Sequence, residues 1–120
     1  MAEYFTFSDG DTVTGNNLSR NPRESVNHGT LITANLTAVN GDTLPCNTTG
    51  GGFTVTLPSS PSDQDQVTIL DTRGQFSTNN LTIGHNGTNL MGLAEDMVIS
   101  KNNVSLTFKY IATATDWRII

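Results

Sequence analysis

Apolar residues recur at alternate positions in short runs between residues 50 and 92: Phe53, Val55 and Leu57, then Val67 and Ile69, then Leu81 and Ile83. A period of two gives a segment one apolar and one polar face, which is the mark of a half-buried strand. The residues between the runs are Pro, Ser, Asp, Asn and Gly, whose backbone preferences and short polar side chains favour turns. The same pattern predicts a strand over Thr30–Val39, with Ile32, Ala34, Leu36 and Ala38 on one face, closed by a turn at Asn40-Gly41-Asp42. A short strand over Thr43–Thr49 follows, weakened by Pro45 or placed by it at a sheet edge. Gly50-Gly51-Gly52 marks a sharp reversal or a close approach of backbones.

Further strands are predicted over Gln66–Asp71, Leu81–Gly84, Met97–Ser100 and Val104–Ala112, the last with Val104, Leu106, Phe108 and Tyr110 on one face. A reversal at residues 113–116 leads into Trp117–Ile120, where Trp117 would stand opposite Phe108 or Tyr110. Gly92–Asp96 is the one stretch that could hold a helical turn. The expectation is an all-β fold, a small antiparallel sandwich or barrel of about eight short strands with hairpin connections. Its core would be built on Phe53, Val55, Leu57, Val67, Ile69, Leu81, Ile83, Phe108 and Trp117.

Residues 1–29 break this pattern. Tyr4 and Thr6 alternate with Phe5 and Phe7, but from Asp11 to Gly29 polar breakers surround the isolated Val13, Leu18 and Val26. Long aperiodic stretches are uncommon inside compact domains. Residues 1–29 are therefore expected to form an extended N-terminal arm that orders against a partner, and residues 30–120 the β-domain.

Composition narrows the function classes. The chain has 120 residues, 35% hydrophobic and 14% charged, so its surface is filled mainly by uncharged Thr, Ser, Asn and Gly. That is enough for one domain with a thin core, which self-association would complete. The net charge is -5 and Lys plus Arg total only 6, without the clustered cations that displace phosphate counterions, so nucleic acid is not an expected partner. No apolar run approaches the roughly 18 residues of a membrane span, and no leader pattern follows Met1, so synthesis in the cytoplasm is expected. The Asn-x-Ser/Thr triplets at Asn17, Asn35, Asn47, Asn80, Asn86 and Asn103 then reflect composition rather than glycan attachment.

Reactive groups are sparse. Cys46 is the single cysteine, which rules out an intrachain disulfide, and its TLPCNTT surroundings suit a buried apolar side chain rather than a nucleophile. His28 and His85 lie far apart without Cys or Glu at ligand spacing, so neither a zinc site nor a supported general base is expected. Asp63 and Asp65, like Asp9 and Asp11, read as turns, because a calcium site needs about 6 to 8 oxygen ligands. The glycine triplet precedes a strand rather than a helix and so lacks the context of a phosphate loop. No catalytic residue, metal or cofactor is expected.

From FTVTLP through VTILDTRGQFSTNNLTIGHNG and the glycine followed by Glu95-Asp96 to the closing aromatic hairpin ending Trp117-Arg118, the chain resembles a β-module of bacteriophage tail fibres, tail spikes and head-decoration or head-fibre proteins. The resemblance covers roughly residues 40–120. It implies a virion structural protein, a homotrimer wrapped around a threefold axis. Its residues would be structural: Leu57 and Pro58 closing a strand, Asn79 and Asn80 in a turn, Gly87 and Gly92 supplying backbone freedom, and Trp117 in the core.

With room for one anchor and one domain, the leading expectation is a capsid decoration or cement protein located in the virion. Its arm would grip the major capsid protein or another virion protein through Phe5, Phe7, Arg20 and Arg23, since aromatic and Arg side chains dominate many interfaces. The alternative is a tail-fibre or spike component whose loops around His85 and Tyr110 bind host surface glycan.

Overall fold

A computed structural model describes residues 25–120; Phe5, Phe7, Arg20 and Arg23 lie outside the described residues. The described chain is all-β. Its strands are β1 (Leu36–Thr37), β2 (Asp42–Cys46), β3 (Phe53–Thr56), β4 (Gln66–Asp71), β5 (Leu81–Gly84), β6 (Asn89–Leu90), β7 (Met97–Ile99), β8 (Ser105–Ile111) and β9 (Asp116–Ile119). No helical turn forms at Gly92–Asp96, which holds a turn and bends instead.

The strands divide between two sheets, in the orders β1-β3-β5-β7 and β2-β4-β8-β9-β6. Successive strands from β1 to β5 alternate between the sheets and pair in parallel with the strand one coil earlier, Leu36 and Val55 then Ile83 in one sheet, Leu44 and Ile69 in the other. This path is that of a short β-solenoid, in which each coil stacks its apolar residues on the one before. It corrects the expectation of an antiparallel sandwich or barrel. Between the described strands, antiparallel pairing is confined to β4 with β8, β5 with β7 and the β8–β9 hairpin, which close the coil.

Thr30–Val39 is not one strand, and the reason is the coil itself. Ile32 bonds to β2, its N–H donating to the Pro45 carbonyl at 2.8 Å and its carbonyl accepting from Asn47 N–H at 2.9 Å. Leu36, four residues on, pairs with Val55 in the other sheet. The chain turns a corner between them, and Asn35 holds it by accepting the Thr54 N–H at 2.8 Å. Pro45 is accommodated within β2 because its nitrogen faces this 27–32 stretch, where Thr43 and Asn47 donate, rather than β4.

The core fills the space between the sheets with Val55, Leu57, Leu81 and Ile83 from one side and Leu44, Cys46, Val67, Ile69, Phe108 and Trp117 from the other, all fully buried. Phe53 is half-buried and packs against this cluster. Tyr110 is the residue opposite Trp117, the ring centroids 5.6 Å apart and tilted by 60°, a favourable aromatic geometry. Phe76 is also fully buried, although it comes from the loop between β4 and β5. At Gly52 the backbone crosses so close to a neighbouring coil that a Cβ would lie 2.4 Å from the Asn80 carbonyl oxygen.

Candidate functional site

The polar groups buried by this fold are mostly acceptors for backbone N–H groups at the corners of the coil. Asp71, at the end of β4, accepts from the backbone of Arg73, Gln75 and Phe76 at 3.2 Å each and from Asn103 at 3.0 Å. Burial works against its charge, but the four N–H groups of Asn103, Phe76, Gln75 and Arg73 outweigh it and hold the carboxyl below the ordinary range. This carboxylate therefore fixes the loop that delivers Phe76 to the core. Asp42 does similar work at the start of β2, accepting from Asn27 N–H at 2.7 Å and Val39 N–H at 2.8 Å. Asp116 accepts from Gly92 N–H at 3.0 Å and pairs with the Arg118 guanidinium.

Asparagine side chains serve the remaining corners. Asn79 donates to the carbonyls of Thr48 and Thr49, Asn80 to that of Phe76 and Asn86 to that of Leu57. Asn40 and Asn102 accept from the backbone of Gln66 and Ser77. The Asn-rich composition is thus a set of backbone clamps, since a chain that changes sheets so often leaves many N–H and C=O groups without a strand partner.

Three further groups carry potential chemistry. Cys46 is fully buried, its Sγ donating to the Leu44 carbonyl at 3.4 Å, and burial, reinforced by the charge of Asp71, pushes the thiol up to about 12. It is held as an inert thiol. His85, expected to lack a partner, has one: its Nδ1 lies 2.5 Å from Asp96 Oδ1, which also accepts the His85 backbone N–H at 3.0 Å. The pairing of β5 with β7 brings the two together. The side-chain contact with His85, joined by the bond from its backbone, holds Asp96 below the ordinary carboxylate range. Among the described residues no three His, Cys, Asp or Glu side chains gather at metal-ligand spacing. Asp63 and Asp65 instead accept backbone N–H groups of Ala112 at 2.9 Å and Ser62 at 3.0 Å.

Tyr110, near the loops expected to bind glycan, is buried in β8 against Trp117, so its ring is not open to a sugar. The exposed apolar surface lies elsewhere. Leu90 and Leu93 exchange backbone hydrogen bonds of 2.8 and 3.0 Å around Met91 and Gly92, whose φ values of 53° and 82° are those a tight primed hairpin turn requires. Met91 and Leu93 at this tip are 44% and 55% exposed, Val98 on β7 is 59% exposed and Ile120 68%. β7 is the last strand of one sheet and β6 the last strand of the other. Compared with protein-family models and with curated proteins, the chain matches none.

Proposed function

We propose that this is a bacteriophage virion structural protein, a capsid decoration or cement protein that binds the assembled shell as a homotrimer and stabilises it. The observation that carries the reading is the employment of the buried carboxylates. Asp42, Asp71 and Asp116 all accept backbone N–H groups, so the polar chemistry of the described residues serves rigidity rather than turnover. A stiff coil with a neutral Thr- and Asn-rich surface suits a part that must persist outside the cell. The resemblance of residues 40–120 to virion β-modules supplies the setting.

In this reading the N-terminal arm of residues 1–29 carries the grip on the shell, with Phe5, Phe7, Arg20 and Arg23 as the contact residues, and the β-domain trimerises. A ligand that engages only the assembled state stabilises that state by mass action. The test is co-sedimentation of the purified protein with shells that lack it, comparing the full chain with a variant deleted for residues 1–24. Saturable binding that the deletion abolishes supports the proposal. Full-chain protein that stays in the supernatant, or binding unchanged by the deletion, overturns it.

A further inference from the structure

We infer that the β7 edge is a homotypic docking strand, which pairs antiparallel with β7 of a second copy across a twofold axis at Val98. β7 is the last strand of its sheet, and among the described residues only β5 pairs with it. A free strand edge presents unpaired N–H and C=O groups and is a template for another strand unless something blunts it. Native edges are blunted by charge, proline, bulges or very short length. β7 is short, but within it there is no charge or proline: it reads Met97-Val98-Ile99, with Met97 and Ile99 turned to the core and Val98 turned outward at 59% exposure.

The residues flanking β7 indicate what covers it. An antiparallel pair about a twofold axis at Val98 sets Val98 against the second copy's Val98, and Met97 against the second copy's Ile99. Three residues out, it sets Glu95 against the second copy's Lys101, and by symmetry Lys101 against the second copy's Glu95. Glu95 and Lys101 are both exposed. The edge is therefore complementary in charge to itself in the one register that also centres the strand on its apolar outer residue. A slip of one residue would turn Val98 to the wrong face.

The contact would extend the β1-β3-β5-β7 sheet from one copy into the next. It is independent of the virion reading and of the threefold assembly; where trimers form, it joins a copy in one trimer to a copy in another.

Sedimentation analysis of the full chain, together with site-directed cross-linking, tests this. The expected mass is an even number of copies, two or six. Glu95→Lys or Lys101→Glu alone should weaken association about tenfold by setting like charges opposite, and the double exchange should restore it. Under mild oxidation Val98→Cys should form a covalent dimer, because facing residues of an antiparallel pair stand about 4.5 to 5.5 Å apart. Thr82→Cys, one strand further from the axis, should not, and Cys46 is too deeply buried to interfere. A monomer at every concentration, or a lone trimer, overturns the inference, whether the edge is bare or covered by another segment. So does a double exchange that fails to restore association, or a Val98→Cys variant that links no faster than Thr82→Cys.

Discussion

Gly52 and Gly50 sit two residues apart in one triplet, yet the fold asks opposite things of them. A Cβ at Gly52 would meet the Asn80 carbonyl oxygen at 2.4 Å, and that atom is backbone and cannot move aside, whereas a Cβ at Gly50 meets nothing within 4 Å. Gly52→Ala should therefore lose about 2 kcal/mol or more of stability. Gly50→Ala should be neutral within about 0.5 kcal/mol. Urea midpoints of the two variants decide it, and equal losses would mean the coils do not approach there.

Asp71 makes a pH prediction whose sign follows from its bonds. Its folded-state affinity for a proton is lowered by the N–H groups it accepts. Its contribution is therefore complete above about pH 4, where the carboxyl of the unfolded chain is also ionised, and is lost as pH falls through the lower folded value. Asp71→Asn should weaken the protein at neutral pH and flatten this acid limb in urea titrations. Cys46 supplies a second test at this scale. With its thiol buried and pushed up to about 12, it should resist alkylation near pH 8 in the native state and react only on unfolding. Rapid labelling of native protein would contradict the packing of β2 against β4.

At the scale of elements, alternation was legible and pairing was not. The runs Gln66–Asp71 and Leu81–Gly84 are strands with those bounds, because each alternates apolar and polar residues and is flanked by turn formers. Their direction is not legible in the sequence, for a physical reason. Alternation normally marks antiparallel sheets, since most parallel sheets are covered on both faces and read as continuous apolar runs. Here the parallel strands keep one face outward, so β2 and β4 alternate buried and half-buried residues along their length. Thr30–Val39 alternates as well, but its first half bonds to one sheet and its second half to the other, which no periodicity reports.

The candidate site was less legible still. Asp71 reads in sequence only as the last residue of a strand, and its role depends on Asn103, brought near only by the β4–β8 pairing. His85 and Asp96 likewise meet only through the register of β5 with β7. The sheet order also predicts a gradient of protection. Amides of β4 and β8, central in their sheet, should exchange slowest, and those of β1, β6 and β7, at the ends, fastest. Hydrogen exchange that found β7 protected as well as β4 in a monomeric preparation would contradict the open edge.

For the whole molecule, the two-sheet coil explains how a chain with so few charges and so thin a core becomes stiff. Each corner is clamped by a carboxylate or an asparagine, and each coil covers the apolar face of the last. In the proposed reading such a body serves assembly, through the β7 edge and the N-terminal arm. The most direct measurement of that claim is a single-particle reconstruction of the purified virion that carries this protein. The account predicts density for paired β-sheets on the outer face of the head shell, in copies related by a threefold axis. A head with no such density, in particles that mass spectrometry shows to carry the protein, would contradict it.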